Sequence, residues 1–103
     1  SMTIDLFGGL DGEARGFLEE FTGSLRSLGA EAEAAFARHD MDIARARVHA
    51  LAGVAKNGGA PALGALADQV ERALKAGEHD VARMSALKIP GMIDRVVAAI
   101  AAL

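Results

Sequence analysis

The sequence predicts an all-α protein, specifically an antiparallel up-and-down four-helix bundle with a short N-terminal lead-in. Its 103 residues fit one domain, and hydrophobic residues at 51% with charged residues at 24% are the balance of a globular chain. Alanine is the commonest residue and aromatic residues make up only 4%, a mixture that favours helices over sheets. No run alternates β-branched or aromatic residues with polar ones, so strands are not expected.

The N-terminal part of the chain predicts a lead-in followed by a long helix. Residues 1–10 contain an apolar cluster before a Gly-Gly pair, and we expect this segment to pack on the domain. The first bundle helix is predicted over 11–38 because its apolar residues recur at steps of three and four. These residues are Phe17, Leu18, Phe21, Leu25, Leu28, Ala32, Ala35 and Phe36.

The second and third helices are delimited by residues that favour helix ends. A helix over 41–57 follows Asp40, which is a favourable N-cap, and stops before the Gly-Gly pair at 58–59. The third helix is predicted over 61–76, with Pro61 in the first helical position, where its missing N–H costs nothing.

The last segment, 80–103, completes the predicted bundle. The pair Pro90-Gly91 interrupts it, and we expect a kink or a break there. Four amphipathic helices with short links predict a single domain over 1–103.

Composition excludes several classes of function. The chain has no cysteine, which removes disulfides, thiolate zinc sites and cysteine nucleophiles. A net charge of −3, no basic run and no aromatic residue other than phenylalanine argue against nucleic acid. Its longest clean apolar run, 96–103, is far short of the ~20 residues of a membrane helix. No two histidines have ligand spacing, so no metal site is expected. We expect a cytoplasmic monomer without membrane contact.

His49 falls in the middle of the second helix, opposite its apolar stripe. At 100° per residue it shares a face with Arg45, Ala52, Gly53 and Lys56. Gly53 is costly inside a helix, and the space beside it lets another molecule approach the imidazole. An exposed imidazole beside a gap and between cations suits a phosphoryl acceptor. A solvated surface histidine on a tolerant helix fits the same pattern.

The run His-Ala-Leu-Ala-Gly from His49 to Gly53, with Gly59 ten residues after the histidine, resembles the signature of histidine phosphotransfer (HPt) domains. The family pattern is roughly HxLKG followed by a second glycine at this spacing. Positions in the third helix fit the family's next helix in register, namely Leu63, Leu66, Val70 and Glu71. The resemblance covers about residues 11–78.

The resemblance implies a phosphorelay intermediary. His49 would attack an aspartyl phosphate through Nε2 and hold the phosphoryl group, passing it to or from an aspartate of a response-regulator receiver domain. The partners would be such receivers, a hybrid histidine kinase, or both. The receiver would supply the acidic pocket and Mg²⁺, so this chain would need no cofactor of its own. It would be a phosphocarrier and not a stand-alone enzyme, with catalysis mostly by positioning and charge stabilisation.

Two residues follow from the resemblance as further catalytic candidates. Glu71, 22 residues after His49, stands where the family often hydrogen-bonds the other ring nitrogen, although local pairing with Lys75 also explains it. The family's usual lysine three residues after the histidine is Ala52 here. Lys56 lies one turn further along the same stripe, and its long stem could reach back. A solubilising charge at the helix end is the plainer explanation of Lys56.

The surface around His49 is the predicted docking face. We expect Ala52 and Gly53 to be exposed so that a partner lies close, while Arg45, Arg47 and Lys56 steer an acidic receiver. The predicted binding residues are Arg45, Ala52, Gly53 and Gly59.

Three alternatives remain open at this level. The chain could be a degenerate HPt-like bundle that binds signalling partners without phosphotransfer, and Ala52 keeps this alternative alive. It could also be the phosphoacceptor module of a chemotaxis-type histidine kinase. A purely structural bundle would be favoured if His49 were buried.

Overall fold

A computed structural model describes residues 12–103, and this part of the chain is helical without any strand. The predicted lead-in over 1–10 and Asp11, the predicted first residue of the first helix, lie outside the described residues. The all-α class is therefore confirmed for the described residues. Their helices are α1 (Gly12–Ala37), α2 (Met41–Asn57), α3 (Pro61–Lys75), α4 (His79–Ala86) and α5 (Ile89–Ala101).

The segment predicted as one interrupted helix over 80–103 is two helices. The break comes at 87–88, before the expected Pro90-Gly91 pair, and Pro90 lies in the first turn of α5. A proline ring clashes with the carbonyl four residues earlier, which belongs to Ala86, the last residue of α4. The effect of the proline is thus felt one turn before the proline itself.

The turns on either side of α2 are fixed by local hydrogen bonds and by one glycine. The Asp40 carboxylate accepts a hydrogen bond from the Ile43 backbone N–H at 3.2 Å, so Asp40 is the N-cap that the sequence predicts. At the other end, the Gly58 N–H donates to the Val54 carbonyl at 3.0 Å. Gly59 follows with a φ of 88°, a left-handed conformation that favours glycine. These two turns set how α2 lies against α1 and α3.

The core is built around α2, which packs against both α1 and α3, while α4 packs on α3 and α5 packs on α1 and α3. Alanine and glycine allow close approach between these helices. The largest side chains with essentially no exposure are Leu25, Leu51, Leu63, Val48 and Val70. The Gly58 backbone lies against the ring of Phe21, so that a Cβ on Gly58 would overlap the ring.

Not every apolar residue of the predicted stripes is buried. Phe17 is 56% exposed and stacks on Phe21 with ring centroids 6.3 Å apart. Phe21 lies against Gly58, and Phe17 lines a shallow groove together with Val54 and Asn57 near the end of α2. Val81, Met84 and Leu87 in and after α4 are also exposed, because this short helix buries only one face. Within residues 12–103, no helix has the length and apolar character required to cross a membrane.

Candidate functional site

The imidazole of His49 projects into solvent from the middle of α2. Its side chain is 74% exposed, whereas its neighbours Val48 and Leu51 are completely buried. The 3.6-residue period places these two inside and the histidine about a third of a turn away from the core. The structure therefore places His49 on the exposed face that the helical stripe predicts, and the burial that would have favoured a purely structural bundle is not found.

Glu71 of α3 contacts the His49 ring on the side that faces the protein. His49 Nδ1 lies 3.0 Å from both carboxylate oxygens of Glu71. The Glu71 side chain is only 11% exposed, so this contact lies between the two helices and not in bulk water. A carboxylate accepts only, so Nδ1 carries the proton and donates it, and in the neutral ring Nε2 is left with its lone pair facing outward.

Lys75, one turn after Glu71 on α3, provides a second partner for the carboxylate. Lys75 Nζ lies 3.5 Å from Glu71 Oε2. The local ion pair and the histidine contact, which the sequence offered as two explanations of Glu71, are thus both present. His49, Glu71 and Lys75 form one chain of polar contacts across the α2–α3 interface.

The Glu71 carboxyl has a pKa below its ordinary value of 4.5. Burial is the largest single influence and raises this pKa, because it penalises the charged form. The hydrogen bond from His49, its charge and the charge of Lys75 together outweigh burial. Glu71 is consequently ionised at neutral pH and able to accept the hydrogen bond that His49 Nδ1 donates.

Lys56 begins on the same face of α2 as His49, but its side chain extends towards α3. Its Nζ forms an ion pair with Asp68, and its stem crosses Gly64, where an added Cβ would lie 2.7 Å from the Lys56 Cγ. To act on a phosphoryl group at His49, Lys56 would have to leave Asp68. That catalytic role stays a prediction.

The expectation that Ala52 is exposed is wrong. Ala52 is only 3% exposed, because α3 covers it. The two helices are close here, since even a Cβ placed on Gly64 would be in ordinary contact, at 3.5 Å, with the Ala52 carbonyl oxygen. Small residues on both helices bring the backbones together at the place where the family pattern carries a lysine.

The local structure treats the two predicted glycines differently, because only Gly59 adopts a backbone conformation that favours glycine. Gly53 is exposed, and a Cβ added there would meet no atom within 4 Å. Packing therefore does not require a glycine one turn after His49. Gly59 lies beyond the end of α2 and has a positive φ, so the turn itself accounts for it.

The predicted docking cations differ in how they are engaged. Arg47 is half-buried and pairs with Glu31 of α1 at 2.8 Å. Arg45 is exposed and makes no ion pair with any residue in the described part of the chain. Of the seven predicted site residues, four are exposed on one face of α2, namely Arg45, His49, Gly53 and Lys56, and of these Lys56 is paired with Asp68 of α3.

Asp68 and Gly64 are parts of the site that sequence reasoning missed. Both share a face of α3 with Glu71, at spacings of three, four and seven residues, and that spacing was visible in the sequence. What was not visible is the closeness of α2, which turns a surface aspartate into the partner of Lys56.

The acidic side chains near His49 balance cations of the chain itself. Glu71 pairs with His49 and Lys75, and Asp68 pairs with Lys56. Across residues 12–103, no group of three or more histidine, cysteine, aspartate or glutamate side chains is arranged to hold a metal ion.

The fold and the site define a class of small helical domain in which a solvent-facing histidine is oriented by a buried carboxylate from the next helix. The family model described as the Hpt domain matches residues 16–99. The chain therefore belongs to the Hpt domain family, the histidine phosphotransfer domains of two-component systems, and the sequence resemblance is confirmed. The match extends past the resemblance seen over 11–78 into α4 and α5. Neither a curated protein nor a solved structure matched the chain.

Proposed function

We propose that this domain is a phosphorelay intermediary that accepts a phosphoryl group on His49 and exchanges it with an aspartate of a response-regulator receiver domain. The observation that carries the proposal is the pair of 3.0 Å contacts from His49 Nδ1 to the Glu71 carboxylate. They fix the proton on one ring nitrogen and leave the lone pair of the other pointing at solvent, where a partner protein can reach it.

The transfer is a displacement at phosphorus. The Nε2 lone pair of His49 attacks the phosphorus of the aspartyl phosphate, the N–P bond forms, and the P–O bond to the aspartate breaks. The electron pair leaves with the aspartate oxygen, which becomes a carboxylate. The Nδ1 proton stays in place, and the positive charge on the phosphorylated ring is offset by ionised Glu71. No proton has to move, so catalysis consists of orientation and charge stabilisation.

The proposal includes the setting of this reaction. The helices form the antiparallel up-and-down bundle of a cytoplasmic monomer, with receivers or a hybrid histidine kinase as partners. The receiver contributes Mg²⁺ and the acidic pocket, and this chain contributes the histidine and a surface that fits closely beside Gly53. Support for close docking comes from the open space at Gly53.

A degenerate domain that only binds partners is the second candidate, since the family's lysine is replaced by buried Ala52. Receiver domains phosphorylated with acetyl phosphate separate the two. The relay predicts label on His49 that is labile in acid and stable in base, and none in His49→Gln. Receiver binding without label in the wild type would contradict the relay and favour the degenerate domain. Label obtained only from an ATP-bound kinase domain would identify the chemotaxis-type phosphoacceptor.

A further inference from the structure

Three cations share the faces of α2 and α3 that carry His49 and Glu71, and they are engaged differently. Lys75 is 3.5 Å from the Glu71 carboxylate, and Lys56 is paired with Asp68. Arg45, the third, is exposed and has no ion-pair partner within residues 12–103. On the face of α2 that carries His49, a phosphoryl group arriving at the ring therefore meets one cation, Arg45, whose charge is not already balanced within residues 12–103.

Arg45 also lies closer to His49 along the helix than Lys56 does. Residues four apart on a helix are surface neighbours, with Cβ atoms about 6 Å apart. Lys56 follows His49 by seven residues, roughly 10.5 Å along the axis. Moving Lys56 towards the phosphoryl group would also leave the Asp68 carboxylate without its partner, next to a newly arrived dianion.

Arginine is the side chain best suited to this task. Its planar guanidinium offers two parallel N–H groups that match two oxygens of a phosphoryl group, whereas lysine acts as a point charge. The phosphorylated ring lies between two negatively charged groups, the phosphoryl group at Nε2 and the Glu71 carboxylate at Nδ1. Lys75 offsets the second of these charges, and Arg45 is placed to offset the first.

We propose that Arg45 binds the phosphoryl oxygens on His49 and stabilises the charge that develops during transfer. It takes the part that the family's lysine would take at position 52. This inference rests on the proposed function, because it assumes that His49 is the acceptor.

Phosphoramidate tests the inference without any protein partner. The His49 Nε2 lone pair attacks its phosphorus, the N–P bond to His49 forms, and the P–N bond of the donor breaks. In the zwitterionic form of phosphoramidate the nitrogen is already fully protonated. The nitrogen therefore leaves as ammonia with the electron pair of the broken P–N bond, and no other reactant is needed. His79 is exposed and serves as an internal reference for the reactivity of a surface histidine in the same molecule.

The experiment compares initial rates of phosphorylation at His49 and His79 by peptide mapping under neutral conditions. In the wild-type protein, phosphoramidate should phosphorylate His49 faster than His79. Arg45→Gln should lower the rate at His49 about fivefold, the size of effect expected when an exposed ion pair is lost. Arg45→Lys should fall between them. Arg72→Gln removes the same charge from an exposed site on α3 and should leave the ratio unchanged. The wild-type excess should shrink as salt rises, and Arg45→Gln should lose that salt dependence.

Equal His49 rates in wild type and Arg45→Gln would overturn the inference, and so would a wild-type rate at His49 no higher than at His79. A larger loss in Lys56→Gln than in Arg45→Gln would transfer the role to Lys56. A different result would contradict the proposed function. In that result phosphoramidate labels His49 readily and in an Arg45-dependent way, but the labelled protein does not exchange phosphate with any receiver domain tested.

Discussion

The imidazole of His49 on α2 and the carboxylate of Glu71 on α3 meet with Nδ1 3.0 Å from each carboxylate oxygen. One partner is 74% exposed and the other 11% exposed, so the contact joins the surface of the domain to its interior. The buried carboxylate restricts the ring to one tautomer and one orientation. The exposed edge of the ring, which carries Nε2, is the part available to another protein.

Substitution of Glu71 should slow phosphorylation of His49 according to what remains of this contact. Glu71→Gln keeps an acceptor for the Nδ1 proton but loses the charge, and we expect a rate about fivefold lower, the difference between a charge-assisted and a neutral hydrogen bond. Glu71→Ala leaves the tautomer free and should be slower still. The phosphoramidate assay measures both, and a Glu71→Ala rate equal to wild type would show that the carboxylate does not activate the ring.

Acid should remove a part of the folding stability that depends on Glu71. The pKa of its carboxyl is lowered in the folded protein, so its stabilising contribution is complete above the unfolded value of 4.5 and is lost as pH falls through the folded pKa. Urea unfolding at about pH 7 and about pH 3 should show wild type losing more stability on acidification than Glu71→Gln. Equal losses in the two proteins would contradict this assignment.

Gly53→Ala should separate folding from docking. A Cβ at this position meets no atom within 4 Å, so alanine should raise the free energy of unfolding by up to about 1 kcal/mol through helix propensity. The same methyl group should slow exchange with a receiver domain while leaving phosphoramidate labelling intact, since only a protein partner has to lie against the helix. Gly59→Ala is the control, because its φ of 88° makes alanine destabilising there. A Gly53→Ala variant with wild-type receiver exchange would remove the docking role of Gly53.

Ala52→Lys restores the residue type of the family pattern, yet it should not improve the domain. Position 52 is 3% exposed under α3, and a lysine there would have to push past the close approach at Gly64. We expect the free energy of unfolding to fall by about 1 kcal/mol or more, the usual cost of overpacking, with no gain in phosphorylation rate. Urea unfolding and the phosphoramidate assay decide this. A variant as stable as wild type and faster in phosphorylation would show that α3 leaves room for the lysine.

The helix pattern was predictable because the residues that begin and end a helix lie next to its ends in the sequence. Asp40, the Gly-Gly pair at 58–59 and Pro61 mark the limits of α2 and α3, and apolar spacing marks their inner faces. The position of the break before Pro90 was missed by a few residues, since a proline acts on the carbonyl four residues earlier.

The site was only partly predictable, because its details depend on the distance between two helices. Exposure of His49 follows from its place on α2 alone, and its partner Glu71 was expected only through the family resemblance. Burial of Ala52 and the pairing of Lys56 with Asp68 both depend on how closely α3 approaches α2 at Gly64. A single helical projection contains no information about a neighbouring helix, so these two features required the structure.

The most direct measurement is nuclear magnetic resonance of the His49 ring after incubation with a receiver domain phosphorylated by acetyl phosphate. We predict phosphorus bonded to Nε2, seen as coupling between ³¹P and that ¹⁵N nucleus, with the proton retained on Nδ1 and hydrogen-bonded to Glu71. An unmodified ring in the presence of a receiver that binds, or phosphorus attached to Nδ1, would contradict the assignment of His49 Nε2 as the phosphoryl acceptor.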